Sequence, residues 1–328
     1  MSGAAPQGLA QLQERYIRFA EHEAKGVSPL YEALARAVAE SEALLGFIAS
    51  LPEPKQQPNL VFAAVRRLYG TPAGPAHFAE LVARHAEPIR ALVLRRSTQT
   101  NEPGRCAVLL PALARLPQPL ALLEVGASAG LCLLPDRYGY DYGRARLLPP
   151  PAGAQPPPVF PCLANDATPI PDELPRVAWR AGIDLNPVDL RDPDEAAWLE
   201  ALVWPGNEPR SARLRAAIRL AREHPPAVVK GDLAADLRAA AASAPRGATL
   251  VVFHSAVLAY VQPEERERFA RRVAELGAAW ISNEFPGVLP HVAAKLEEEP
   301  PTNRFLLAVD GDPVALAGPH GQSIDWLR

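Results

Sequence analysis

Residues 120–131 read LALLEVGASAGL, an apolar run that ends in an acid and then in a turn with glycines at 126 and 130. A short apolar run bounded by turn residues is typical of a buried strand. The turn has two interpretations. In the first it leads into a helix and holds an adenosyl cofactor. In the second, GASAG is a Gly-x-Ser-x-Gly nucleophile elbow, in which Ser128 attacks the substrate of a hydrolase.

The composition indicates a globular protein, because 48% of the 328 residues are hydrophobic and 22% are charged. A formal net charge of −3 gives no electrostatic argument for binding nucleic acid or an anionic membrane, so we expect a small-molecule substrate. Three scattered cysteines indicate neither a disulfide framework nor a metal site. Since the chain shows no export signal and no apolar run of membrane-spanning length, we expect a cytoplasmic protein. A homodimer is one expectation for its assembly.

The first third of the chain shows only helical periodicity. Apolar residues recur at spacings of three and four, beginning with Leu9, Leu12 and Tyr16. Ser28-Pro29 is a suitable N-cap and first-turn pair for one of these helices. We therefore predict an all-helical N-terminal domain at residues 1–117.

After Pro117, apolar runs of strand length alternate with helical stretches. This alternation predicts an α/β domain at residues 118–328, with a mostly parallel sheet and helices on both faces. A proline-rich insertion at 136–175 interrupts it, and alternating tyrosines there favour a small hairpin. The predicted strands are 120–125, 176–184, 227–230, 249–254 and 278–283, followed by an antiparallel pair at 304–309 and 314–317; the first predicted helix after strand 120–125 is 129–134.

The residues that follow each strand are the candidates for binding, because ligands of open parallel sheets lie beyond the carboxyl ends of the strands. An adenosyl cofactor needs small residues where the chain approaches it. It also needs an acid after the next strand, to accept hydrogen bonds from the ribose hydroxyls. The predicted cofactor-binding residues are Glu124, Gly126, Ala127, Ser128, Gly130, Asp184, Leu185, Gly231, Asp232, His254 and Ser255. Gly231-Asp232 is equally typical of a simple helix cap.

Three motifs resemble those of class I S-adenosylmethionine-dependent methyltransferases: Glu124-Val-Gly-Ala-Ser-Ala-Gly130, Gly182-Ile-Asp-Leu-Asn-Pro187 and Gly231-Asp232. The resemblance covers about residues 118–328 and implies a Rossmann-like sheet with S-adenosylmethionine as cofactor. More closely, the chain resembles a bacterial family of uncharacterised proteins, defined as a domain of unknown function. The patterns that carry this second resemblance are SPLY, EVGASAGL, RAGIDLNPVDL, WLEALVWPGNEPRSARLRAAI and VVFHSAVLAYV.

The catalytic residues are harder to predict, because methyl transfer needs proximity and, for a protonated nucleophile, a base. His254 is the preferred base, since histidine is the side chain that titrates nearest neutral pH. The alternative is that His254 caps a helix or forms hydrogen bonds in the core. Tyr260 and Glu284 are the other catalytic candidates. The candidate substrate-binding residues are Tyr140, Arg180, Trp204 and Arg210, and Arg180 needs a carboxylate partner if it is buried.

Three functions stay open. The first is a methyltransferase acting on a small molecule, and the second is a methyltransferase-like binding protein without that catalysis. The third is a serine hydrolase, in which Ser128 works with His320 and with Asp232 or Asp310. An elbow strand normally follows several earlier strands, whereas everything before Leu120 is helical. The position of the turn therefore favours the cofactor interpretation.

Overall fold

The computed structural model describes residues 6–99, 101–150 and 155–327 of the chain. It divides into two compact units. The helical unit comprises Met1–Thr100 and Asp192–Ala212, and the sheet unit comprises Asn101–Arg191 and Arg213–Arg328.

The secondary structure is mixed α and β. The helices are α1 (Pro6–Arg18), α2 (Pro29–Glu40), α3 (Glu42–Ala49), α4 (Pro58–Tyr69), α5 (Pro75–Arg84), α6 (Ala86–Arg95), α7 (Cys106–Ala114), α8 (Pro193–Leu202), α9 (Glu208–Glu223), α10 (Leu237–Ala241), α11 (Pro263–Leu276) and α12 (Pro290–Ala293). The strands are β1 (Leu120–Val125), β2 (Gly139–Asp141), β3 (Arg146–Leu147), β4 (Val159–Pro161), β5 (Leu163–Ala164), β6 (Val177–Asp184), β7 (Ala227–Lys230), β8 (Thr249–Ser255), β9 (Ala279–Glu284), β10 (Phe305–Val309), β11 (Asp312–Ala317) and β12 (Ser323–Trp326).

The two units differ from the predicted domains in two places, and packing explains both. Residues 101–117 belong to the sheet unit because α7 is buried on every side from Cys106 to Leu113, which requires a large core around it. Residues 192–212 belong to the helical unit because Trp198 and Ala201 of α8 lie in its core.

The helices of the helical unit begin at local signals that the sequence shows. Pro29 is the first residue of α2, and the Ser28 hydroxyl accepts a hydrogen bond from the Tyr31 amide at 3.4 Å, which confirms the predicted cap. The core is built around the Phe62 ring of α4. Its aromatic neighbours lie with ring centroids 5.0–6.1 Å away and are Tyr16, Phe19, Tyr31 and Phe78.

The sheet unit contains a large, mostly parallel central sheet in the order β7-β6-β1-β8-β9-β10-β11-β12-β5. The strands from β7 to β9 are all parallel, and β10, β11 and β12 continue as an antiparallel meander. All six residues of β1 are buried, as expected for a strand covered on both faces. The predicted strands and their antiparallel final pair are confirmed within a few residues, whereas β12 and β5 were not predicted.

The connection after β1 differs from the prediction of a helix at 129–134. Only a single 3₁₀ turn forms there, at Leu131–Leu133. Gly130, inside the predicted range, has a left-handed φ of +71°, and Pro135 disfavours helical backbone at Leu134, so only three residues remain for a helix between them. The chain then forms a separate three-stranded sheet in the order β3-β2-β4, in which β2 and β3 are the predicted hairpin.

The described part of the chain contains no helix that is both long and apolar enough to cross a membrane.

Candidate functional site

The turn after β1 lies where the strand order reverses, with β6 on one side of β1 and β8 on the other. In open parallel sheets this is the place where a crevice for a ligand forms. Gly126, Ser128 and Gly130 all have left-handed backbone, with φ of +69°, +51° and +71°. Such a conformation is uncommon for a residue other than glycine, and residues strained in this way cluster at functional sites. Ser128 therefore marks the turn as more than a connection.

Asp184, the last residue of β6, forms hydrogen bonds both to the turn after β1 and to the segment that follows β6. Its Oδ2 accepts a hydrogen bond from the Ser128 amide at 2.8 Å, and its Oδ1 accepts one from the Asn186 amide at 2.7 Å. Asp184 therefore links the turn to the start of the segment that follows β6. We call residues 126–130 the glycine turn. The structure thus brings Asp184 and the glycine turn together, as the cofactor interpretation requires.

Asn101 is a second support of the turn that the sequence reasoning missed. Its Nδ2 donates to the Ala127 carbonyl at 3.3 Å, and its Oδ1 accepts from the Leu131 amide at 2.9 Å. One buried side chain therefore holds the turn on both sides. The sequence signal was weak, since Asn101-Glu102-Pro103-Gly104 reads as an ordinary loop before a helix.

Glu124 is a buried acid at the carboxyl end of β1. Its side chain is 4% exposed, and its Oε2 has no hydrogen-bond partner within the described residues. Burial raises the pKa of Glu124 well above its usual range, and the nearby Cys132 thiol raises it further, whereas the Arg105 guanidinium opposes the shift. A buried carboxyl oxygen without a hydrogen-bond partner costs free energy of folding. Glu124 is therefore a candidate for contact with a ligand.

Several buried polar atoms near the carboxyl ends of β1 and β9 lack a partner in the described part of the chain. Native proteins bury few such atoms, and each calls for a ligand, a water molecule or strain. A cavity of about 10 Å³ beside Ser282 and Glu284 is large enough for about one water molecule. The unpartnered atoms are Glu124 Oε2, Ser128 Oγ, Asn283 Oδ1 and Glu284 Oε2.

His254 lies in a closed hydrogen-bond network between β8 and β9. Its Nδ1 is 2.7 Å from Oε1 of Glu284, and its Nε2 accepts the indole proton of Trp280 at 3.0 Å. Because an indole nitrogen only donates, Nε2 is the acceptor. Nδ1 therefore bears the ring proton and donates a hydrogen bond to the Glu284 carboxylate. Both ring nitrogens are thus engaged and the side chain is fully buried. This geometry favours the alternative in which His254 forms hydrogen bonds in the core, because it leaves no nitrogen free to act as the predicted base.

Glu284 also holds the segment that follows β8. Its Oε1 accepts the amide protons of Val257 and Leu258 at 2.9 and 3.1 Å. Ala256 begins this segment with a left-handed φ of +57°. The Val257 side chain packs on Gly126, so that a Cβ added at Gly126 would lie 2.6 Å from Val257 Cγ1. Val257 therefore covers the side of Gly126 that a Cβ would occupy.

The remaining predicted cofactor residues have three different kinds of surroundings. Asp232 accepts the amide protons of Ala234 and Ala235 at 2.9 and 2.8 Å, which is the helix-cap alternative, and Gly231 packs against Asp236. Leu185 is 61% exposed, and Tyr260, which was predicted as a catalytic candidate, is 83% exposed, so these two side chains are available to a ligand. Ser255 is buried and accepts a hydrogen bond from Asn283 at 2.8 Å.

The four predicted substrate residues are divided between the two units, Tyr140 and Arg180 in the sheet unit and Trp204 and Arg210 in the helical unit. Tyr140 is fully buried and donates to the Pro135 carbonyl at 2.7 Å. Arg180 forms a two-pronged ion pair with Asp136 at 2.8 and 2.9 Å, which confirms the expected carboxylate partner. Trp204 packs on Phe19 and Tyr31 inside the helical unit. Arg210 belongs to the same unit, on the first turn of α9.

The geometry assembles no catalytic triad around Ser128. Its hydroxyl has no hydrogen-bond partner within the described residues. Asp310 accepts the Trp280 amide near the amino end of β9, and Asp232 is used as a cap. No group of three or more metal-ligating side chains occurs within the described ranges. The site therefore consists of the glycine turn, the Asp184 bridge, the buried Glu124 and the Val257 segment.

Comparison with known proteins identifies a family but no characterised relative. Neither the curated proteins nor the solved structures give a match to this chain. One family model covers nearly the whole chain, from residue 13 to residue 326, across both units. The chain belongs to this family, which is described as uncharacterised protein conserved in bacteria (DUF2332).

Proposed function

We propose that the sheet unit is a Rossmann-like S-adenosylmethionine-dependent methyltransferase that acts on a small molecule. The observation that carries the proposal is the turn after β1. It combines left-handed glycines, a strained Ser128 and a carboxylate bridge from Asp184 at the point where the strand order reverses. The parallel order β7-β6-β1-β8-β9 supports the same conclusion, since dinucleotide-binding sheets reverse at this point too.

Two unpartnered oxygen atoms, one at the end of β1 and one in the turn after it, can accept hydrogen bonds from the cofactor. Glu124 Oε2 would accept from its ammonium group, and Ser128 Oγ is a second polar atom available beside it. Asp184, which already positions the turn, would accept hydrogen bonds from the ribose hydroxyls. When bound, the cofactor supplies an activated methyl group. Because the Val257 side chain covers Gly126, we expect binding to be accompanied by a shift of the segment that follows β8.

Calorimetric titration with S-adenosylmethionine and S-adenosylhomocysteine tests the proposal. We expect the unaltered protein to bind both ligands and the Asp184→Asn variant to bind at least about tenfold more weakly, because hydrogen bonds to a charged group contribute about 1.5–3 kcal/mol. Asp189→Asn is the matched control: this exposed carboxylate pairs with Arg191 in the same loop, and its loss should change affinity less than about twofold. Absence of binding at about millimolar ligand would overturn the proposal.

Glu124→Gln is expected to stabilise the protein at about pH 8 and to have little effect at about pH 4. Because burial raises the pKa of Glu124, the folded chain keeps this proton at pH values where the unfolded chain has lost it. The free energy of unfolding therefore falls as the pH rises above the usual value of 4.5, and a neutral glutamine removes that loss. Thermal unfolding across this pH range checks the result, with the exposed Glu267→Gln as the control.

The same Glu124→Gln variant separates binding from folding. If Glu124 accepts the ammonium group, the variant binds S-adenosylmethionine more weakly although it is more stable at about pH 8, a combination typical of functional residues. An equal gain in stability at both ends of the pH range would show that Glu124 titrates as in the unfolded chain. Unchanged affinity would remove Glu124 from the proposed cofactor site.

A second candidate function is a methyltransferase-like binding protein without methyl transfer. The closed network around His254, which leaves no free ring nitrogen, favours it. Incubation of the protein with S-adenosylmethionine and a small-molecule extract of bacteria distinguishes the two functions. Formation of S-adenosylhomocysteine supports the methyltransferase, whereas ligand binding without turnover supports the binding protein.

A further inference from the structure

A cavity of about 370 Å³ lies in the sheet unit, at the amino end of β6. Its lining includes Arg176 and Val177, whereas the proposed cofactor site follows Asp184 at the other end of the same strand. Seven steps of about 3.3 Å separate the two ends, so the sites are roughly 23 Å apart. The cavity is therefore independent of the glycine turn, and its volume lies within the range of small-molecule sites, about 300–1,000 Å³.

One wall of the cavity is a single face of α9. Its lining residues recur at helical spacing, which places them on one stripe of the helix. Six prolines form another part of the lining, called here the proline wall, and two of them, Pro158 and Pro175, are buried. The stripe consists of Ala216, Arg219, Leu220 and Glu223 of α9, together with His224, which directly follows the helix.

The charges that line the cavity are predominantly positive. The lining contains three arginines, Arg137, Arg176 and Arg219, and two acidic residues, Asp136 and Glu223. Asp136 is already engaged, because it accepts two hydrogen bonds from Arg180 and pairs with Arg137 at 3.5 Å. The guanidinium groups of Arg176 and Arg219 make no hydrogen bond or ion pair within the described residues. Two arginines thus remain available beside the proline wall.

We propose that this cavity binds a small organic anion whose apolar body packs on the proline wall and on Leu220, and whose anionic group pairs with Arg176 and Arg219. A guanidinium group presents paired N–H donors that match the oxygens of a carboxylate, phosphate or sulfonate. The prolines offer a rigid apolar surface, because their backbone torsion is already fixed. Neither the glycine turn nor a cofactor enters this inference.

Fluorescence titration with 1-anilinonaphthalene-8-sulfonate tests the site, with the uncharged N-phenyl-1-naphthylamine as a second probe of the same shape. We expect one saturable site per chain for the sulfonate and a weaker one for the neutral dye. The double variant Arg176→Ala/Arg219→Ala should bind the sulfonate at least about tenfold more weakly and the neutral dye within about twofold of the unaltered protein. Ala216→Phe, which fills the cavity from α9, should weaken the binding of both dyes.

A matched control removes two exposed arginines elsewhere. Arg268→Ala/Arg271→Ala on α11 changes the net charge by the same amount and should leave both affinities unchanged. Near-ultraviolet circular dichroism checks that each variant is folded. The proposal is overturned by equal affinity for the two dyes, by an equal effect of the control pair, or by sulfonate binding that Ala216→Phe does not weaken. None of these outcomes bears on S-adenosylmethionine binding, which is measured separately.

Discussion

Gly321→Ala is expected to lower the free energy of unfolding by about 2–5 kcal/mol, or to prevent folding. Gly321 has a φ of +78°, which costs a residue with a Cβ about 1–2 kcal/mol. A Cβ at this position would also overlap the backbone carbonyl group of Gly104. Backbone atoms cannot rotate away as a flexible side chain can, so the overlap adds about 1–3 kcal/mol. Chemical denaturation of the variant measures the sum.

Gly143→Ala is the matched control for this prediction. Gly143 has the same φ of +78°, but a Cβ there would meet no atom within 4 Å. Its expected cost is therefore the backbone part alone, about 1–2 kcal/mol. The difference between the two variants measures the close approach of the Gly104 and Gly321 backbones. Equal losses in the two variants would contradict this contact.

The contact between Gly104 and Gly321 matters for the candidate site because Arg105 follows Gly104. The Arg105 guanidinium donates to the carbonyls of Pro319 and Ser255, both at 2.9 Å, and its charge partly offsets the burial of Glu124. A variant that weakens the contact between Gly104 and Gly321 should therefore also disturb the carboxyl end of β8. The buried Arg105 thus connects the contact between Gly104 and Gly321 with the candidate site.

The sequence predicted those parts of the fold that depend on neighbouring residues. Buried strands such as β1 were recognisable because an unbroken apolar run is itself the consequence of burial on both faces. The membership of α8 in the helical unit was not predictable, because it rests on contacts of Trp198 with residues about a hundred positions away, such as Ser97. The missing helix after β1 was a local error, since Pro135 is visible in the sequence.

The same distinction applies to the candidate site. Glu124, Ser128 and Asp184 were found because the residues after parallel strands meet at one edge of the sheet. Asn101 and Val257 were missed, because only the folded chain shows that one supports the turn and the other covers Gly126. His254 was chosen as a base for its residue type. Its engagement depends on Trp280 and Glu284 on the adjacent strand, which sequence spacing alone does not reveal.

Glu284→Ala is expected to destabilise the protein by about 3 kcal/mol or more, because each buried donor left without an acceptor costs about 1–3 kcal/mol. The alanine variant leaves three donors without an acceptor: Nδ1 of His254 and the amides of Val257 and Leu258. Glu284→Gln keeps an amide oxygen as acceptor and should cost only about 1–2 kcal/mol. Denaturation of both variants tests the order, with the exposed Glu267→Ala expected to stay within about 0.5 kcal/mol of the unaltered protein.

Hydrogen exchange shows whether Glu284 also controls access to Gly126. The Val257 and Leu258 amides should exchange faster in Glu284→Gln, because their shared acceptor is weakened, while buried amides of β1 stay protected to the same extent relative to global stability. Uniform acceleration across the sheet would mean that the variant only lowers global stability. Selective exchange at Val257 and Leu258 would instead show that this carboxylate holds the segment that covers Gly126, and that the segment opens separately from the core.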